Sequence, residues 1–109
     1  MKVILKGNPA SLGTATGFVK VVRSDADMQS LKQGEILVAE MTSPDYVPAM
    51  RRAAAIVTER GGRTCHAAIV SRELGVPCIV GAVGAIEILG RVCGIVTVKV
   101  LITGGEVSA

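Results

Sequence analysis

The stretch TERGGRTCHAAIVSRELG, Thr58 to Gly75, contains the chain's one histidine, His66, directly behind Gly61, Gly62, Arg63, Thr64 and Cys65. Paired glycines let backbone N–H groups turn toward a ligand. A helix starting just after them adds unpaired N–H donors and the positive end of its dipole. Arg63 contributes a charged fork, and Thr64 a hydroxyl that can also cap the helix. Gly61, Gly62, Arg63 and Thr64 are therefore the candidate phosphate-binding residues. His66 falls in the first helical turn, where the dipole disfavours imidazolium and favours a ring with a free lone pair. A neutral imidazole among phosphate donors can attack phosphorus, which makes His66 the candidate catalytic residue, a nucleophile that carries phosphate as phosphohistidine. The alternative is an ordinary surface or packing histidine, and a glycine pair followed by arginine does not by itself decide between them.

The neighbouring residues narrow the chemistry. Cys65 and His66 are adjacent on a helix, so their side chains point ~100° apart and make a poor catalytic pair. Cys65 is better placed as a packing residue flanking the site. One histidine and one cysteine fall short of the three or four ligands a zinc site uses, so no metal site is expected. Cys78 and Cys93, each in an apolar segment, read as small hydrophobes with free thiols. Thr42, Ser43 and Asp45 have the positions of capping groups, and Thr42 is a candidate to line the His66 pocket as well. Arg72, six residues after His66, projects away from it and suits an ion pair with Glu73 or Glu87. Arg51 and Arg52 suit a solvated helix end.

The elements that must position these groups follow from the apolar pattern. KVILKG and TATGFVKVV read as strands around a loop of Gly, Pro and Ser, and GEILVAE as a third strand. Ser43 and Pro44 open a short helix that Pro48 limits to about one or two turns. AAIVTE is a buried strand, ERGGRT a loop, and CHAAIVSREL a helix stopped by Gly75 and Pro77. Ala67, Ala68, Ile69 and Val70 make that helix apolar all round, so packing on more than one face is expected. PCIVG is a strand, AVGAIEILG a short helix, and VCGIVTVKVLI the closing strand region. Strands and helices alternate through the middle, which argues for an α/β domain with a parallel sheet.

With 109 residues, half of them hydrophobic, the chain holds one core, and residues 1–109 form one expected domain. A single Tyr, a single Phe, no Trp and a scattered net charge of +3 argue against nucleic-acid binding. No apolar run reaches the ~20 residues of a membrane helix, and the N-terminal apolar stretch is too short for a signal peptide. A cytoplasmic protein without membrane or nucleic-acid partners is the expectation.

The segment MTSPDYVPAMRRAAAIVTERGGRTCHAAIVSRELGVPCIVG, Met41 to Gly81, resembles the mobile phosphohistidine domain of phosphoenolpyruvate-utilising enzymes. The T-x-P-D turn, the A-A-I-V-T strand, G-G-R-T-C-H and H-A-A-I-V-x-R-E-L-G-x-P form one continuous signature. GNPASLGTATGFVKVV is similar to the family's opening, so the resemblance extends to about Val98. Within the family, the Cys65 position and RELG point to the phosphoenolpyruvate synthases (pyruvate, water dikinases) over the pyruvate, phosphate dikinases and the sugar phosphotransferase enzyme I.

The resemblance implies an α/β, three-layer β/β/α swivelling fold with a central parallel sheet. It implies that His66 takes phosphate, at Nε2, from ATP on a separate nucleotide-binding domain. His66 then passes it to pyruvate in a separate barrel domain, giving phosphoenolpyruvate. Those partners, in cis or in trans, would hold ATP and Mg²⁺, with no cofactor bound by this domain; this chain has neither a Walker-type loop nor a carboxylate cluster for the metal. The alternative is a non-catalytic anion-binding or regulatory module of the same fold. Thr64 matches a regulatory phosphorylation site of plant pyruvate, phosphate dikinases, and a phosphate there would repel one on His66. Two departures stand out: VLITGGEVSA lacks the family's closing Tyr, and SLG replaces Ser-Pro-Gly.

Overall fold

A computed structural model describes all of residues 1–109. In chain order the elements are β1 (Val3–Ser11), β2 (Gly13–Val21), α1 (Asp25–Ser30), β3 (Ile36–Ala39), α2 (Val47–Arg52), β4 (Ala55–Thr58), α3 (His66–Leu74), β5 (Cys78–Val80), α4 (Ala85–Gly90), β6 (Ile95–Leu101) and β7 (Gly104–Ser108). A 3-10 turn, Pro44–Tyr46, leads into α2, and Pro48 lies in the first turn of that helix. Proline thus separates the two short pieces at the position where its missing N–H is cheapest.

The seven strands form one closed barrel in the order β1-β5-β4-β3-β2-β6-β7. This corrects the expected three-layer β/β/α arrangement with a central parallel sheet. Strands β2, β3, β4 and β5 do run parallel, but β1 is antiparallel to β5, and β6 and β7 close the circle through antiparallel pairs. What would be two stacked layers are the two walls of one barrel. The physical cause is the length of β1: its first half bonds β7 (Leu5 with Val107, Gly7 with Gly105) and its second half bonds β5 (Asn8 with Val80, Ser11 with Cys78). The expected Gly, Pro and Ser loop is accordingly strand, with the register shifting between Pro9 and Ser11. The C-terminal departure from the family pattern is also strand, since β7 pairs with both β1 and β6.

Two cores sit on either side of the parallel strands. Ile36, Val38, Ala55, Val57 and Ile79 point into the barrel with Val96, Val98, Val100 and Val107. Leu37, Ala39, Ile56, Cys78 and Val80 point outward under α2 and α3, against Met50, Ala49, Ala67 and Ala68. Burial on both faces explains why these strands read as unbroken apolar runs, whereas β6 alternates buried and exposed residues. The interior is narrow: a Cβ at Gly7 would stand 2.5 Å from Ile79 Cγ2, and one at Gly105 2.6 Å from Ile79 Cγ1.

Helix α1 was not evident from hydrophobic periodicity, but its cap is legible in the sequence: Ser24 Oγ accepts from the Asp27 N–H at 3.2 Å, and Asp27 Oδ2 accepts from the Arg23 N–H at 2.9 Å. Arg52, expected at a solvated helix end, instead donates to the carbonyls of Leu31 (3.0 Å) and Met28, tying α2 to the end of α1. Cys93 is exposed, contrary to its apolar setting in the sequence, while Cys78 is fully buried.

Burial pushes the Cys78 thiol up to about 12. The folded value lies above the unfolded one, so the stability it brings is complete below about pH 9 and is lost as pH rises through about 12. Denaturation midpoints should therefore fall across that alkaline window, and less steeply in Cys78→Ala. At pH ~8, near the ordinary thiol value, iodoacetamide should modify Cys93 in the native chain and leave Cys78 untouched, as peptide mass mapping would show.

Candidate functional site

The loop that carries the sequence signature grows from the end of β4. Beyond Thr58 the chain stays paired with the end of β3 and the residue after it, through Glu59 N–H to Ala39 O (3.1 Å) and Arg60 N–H to Glu40 O (3.0 Å). Thr58 Oγ1 donates to Arg60 O at 2.7 Å, and Glu59 Oε1 accepts from the Ile86 N–H at 3.0 Å at the start of α4. At Gly61 the backbone takes a φ of +116°, and a Cβ there would stand 2.6 Å from Cys65 Sγ. Only glycine satisfies both conditions. Gly62 needs neither, because its φ is not positive and a Cβ would meet nothing within 4 Å.

A turn closed by Cys65 N–H to Gly62 O (3.2 Å) carries Arg63 and Thr64, both exposed, and delivers His66 as the first residue of α3. The N-cap is Cys65, not Thr64, and no side chain caps the helix. The first bond back to that cap comes from Ile69 N–H (3.1 Å), so the N–H groups of His66, Ala67 and Ala68 have no acceptor within the helix. Helix α3 buries Ala67, Ala68 and Ser71 on one side, and Ile69 remains 44% exposed. It is packed along a stripe, not on several faces as its composition suggested. Gly75 ends it at φ +70°.

The His66 ring is fixed through one nitrogen. Nδ1 lies 2.7 Å from Thr42 Oγ1, and Thr42 is buried in the loop that follows β3. Nε2 has no partner in the protein. A ring whose Nε2 keeps its lone pair carries its proton on Nδ1, and in that state Nδ1–H donates to the threonine oxygen.

The ring borders a pocket of about 200 Å³ lined by Met41, Thr42, Arg60, Gly61, Cys65, His66 and Ala67. Of the residues singled out from sequence, the pocket gathers His66, Thr42, Cys65 and Gly61. Gly62, Arg63 and Thr64 lie on the exposed turn outside its lining. Met41 and Arg60 were missed. Their only signal was adjacency to Thr42 and Gly61 in the sequence. Arg60 is 3.7 Å from Glu40, both exposed, a pair that contributes little to stability. Arg72 forms no ion pair with Glu73 or Glu87. Its guanidinium donates to two backbone carbonyls, Ala10 O through Nε at 2.8 Å and Arg63 O through Nη2.

The two glycines should respond differently to alanine. Gly61→Ala should cost about 2 kcal/mol or more, because it forces a disfavoured φ and an overlap with Cys65. Gly62→Ala should change stability by less than about 0.5 kcal/mol. Urea titrations of both variants beside the parent check the contrast.

The model of the family described as "PEP-utilising enzyme, mobile domain" matches residues 31–103. The probable phosphoenolpyruvate synthase of Archaeoglobus fulgidus is 59% identical over 88 residues, covering 81% of this chain and 12% of that protein. The phosphoenolpyruvate synthase of Pyrococcus furiosus is 61% identical over 80 residues, 73% of this chain and 10% of that protein. The chain thus spans about a tenth to an eighth of the length of these relatives. Among solved structures, aconitase X of Thermococcus kodakaraensis superposes with a TM-score of 0.62 at 19% identity, over 95% of each chain, which speaks to the fold alone. With the signature loop, the histidine that opens α3 and a family match over residues 31–103, the chain belongs to the mobile-domain family of PEP-utilising enzymes, and its sequence is similar to part of the phosphoenolpyruvate synthases.

Proposed function

We propose that this chain is a phosphoryl carrier in which Nε2 of His66 is the atom that is loaded and unloaded. The observation that carries the reading is the 2.7 Å contact between His66 Nδ1 and Thr42 Oγ1, which occupies one ring nitrogen and leaves the other to react. In loading, the Nε2 lone pair forms an N–P bond while the P–O bond to the departing phosphate of the donor breaks, its electron pair staying on that oxygen. The ring gains positive charge, and the Nδ1 proton, held against Thr42, remains in place. In unloading, a base of the partner barrel takes a methyl proton from pyruvate, the resulting enolate oxygen attacks phosphorus, the N–P electrons return to Nε2, and phosphoenolpyruvate leaves.

The domains that would supply donor and acceptor are a nucleotide-binding one holding ATP and Mg²⁺ and a barrel holding pyruvate, in cis or in trans. The short share of its relatives that this chain covers supports that division. Within the chain, the free N–H groups of His66, Ala67 and Ala68 and the turn at Gly61–Thr64 are the donors available to the phosphoryl oxygens. Thr64 is exposed and makes no side-chain hydrogen bond, and a phosphate placed on it would compete for the same donors and repel one on His66.

The test mixes the chain with labelled ATP, Mg²⁺ and a full-length synthase whose own mobile-domain histidine has been replaced. Acid-labile, alkali-stable label should appear on this chain and vanish in His66→Ala. Absence of label, with the same synthase carrying its own histidine shown to consume ATP under these conditions, would favour the anion-binding module. In Thr42→Val the labelling rate should drop by up to about tenfold, the worth of one hydrogen bond, with the fold retained by circular dichroism.

A further inference from the structure

The guanidinium of Arg72, at the far end of α3 from His66, hydrogen-bonds a backbone carbonyl of the signature loop. Its Nε donates to Ala10 O of β1 at 2.8 Å, and its Nη2 donates to Arg63 O in the turn before the helix. Ala10 is buried in the barrel wall, so the loop is braced against a fixed strand. No cis peptide occurs in the chain. In a trans peptide the carbonyl of one residue and the N–H of the next point in opposite directions. Drawing Arg63 O toward Arg72 therefore aims the Thr64 N–H the other way, and that N–H has no acceptor in the protein.

We propose that Arg72 is a positioning residue: it sets the 63–64 peptide plane so that the Thr64 N–H is presented to the phosphoryl group on His66. This rests on the carrier reading and adds a residue that reaches neither the histidine nor its pocket. A planar guanidinium holds two carbonyls at once from one fixed fork, whereas the ammonium of a lysine is a point donor on a flexible stem. Arg72 spends its hydrogen bonds on backbone oxygens and pairs with no carboxylate, so its charge also polarises the Arg63 peptide and strengthens its N–H as a donor.

The experiment uses the whole chain and phosphoramidate, a small reagent that phosphorylates a free imidazole without an enzyme. The rate of phosphohistidine formation and the Thr64 amide proton shift are followed by ³¹P and ¹⁵N–¹H NMR in the parent, Arg72→Lys, Arg72→Ala and His66→Ala. In the parent, phosphorylation should move the Thr64 amide proton downfield. Arg72→Ala should be phosphorylated roughly ten-fold more slowly, as when one charge-assisted hydrogen bond is lost, and its Thr64 shift should shrink. Millimolar guanidinium should restore both, and Arg72→Lys should fall between. The inference is overturned if the Thr64 amide of the parent does not respond. It is equally overturned if Arg72→Lys, or a folded Arg72→Ala, matches the parent in rate and shift, or if guanidinium restores neither. Failure of the carrier reading is distinct: the parent would react with phosphoramidate and respond at Thr64, yet take no label from ATP and the partner synthase.

Discussion

Strand β1 shares its hydrogen bonds between two neighbours, β7 along its first half and β5 along its second, and this double pairing closes the barrel. Closure forces the inner side chains into a narrow space, which is why Gly7 and Gly105 flank Ile79 without a Cβ between them. It also fixes the outer wall on which α3 lies. Ala67 and Ala68 are small enough to bring that helix close to β4 and β5, so its first residue stands at the C-terminal ends of the parallel strands. Ligand sites in parallel sheets gather at that end because helix N-termini and strand-to-helix loops converge there.

The histidine is held by parts of the chain that are distant in sequence and adjacent in the barrel. Thr42 comes from the loop after β3 and Gly61 from the loop after β4, and the pairing of those two strands brings the loops together. The hydroxyl of Thr42 holds one nitrogen of the ring, and the backbone N–H groups at the α3 start have no acceptor within the helix. The loop is held by hydrogen bonds to Ala39, Glu40 and Arg72 and by its own turn from Cys65 N–H to Gly62 O.

The signature loop was legible because its requirements are local. A positive φ at Gly61, a helix beginning at His66 and a stop at Gly75 are each written in one or two residues. The buried parallel strands were legible for the same reason, as apolar runs between turns. Barrel closure was not, because it depends on how far β1 extends past Pro9, and neither propensity nor periodicity measures that. Thr64 was assigned the cap because threonine is a good capping residue, but the turn at Gly62 runs one residue further and gives the position to Cys65. Arg72 was misassigned because spacing along a helix identifies neighbours on that helix only, while its partners are carbonyls of β1 and of the preceding loop.

Because the strands close into a ring, none stands at the end of an open sheet as a ready template for a strand of another chain. That mode of association is cooperative and slow to undo, since a whole ladder of backbone bonds must break together. Anything that meets this domain must grip side chains and loop backbone instead, as at the mouth around Met41, Arg60 and His66. Contacts of that kind do not have to form or break as one cooperative ladder.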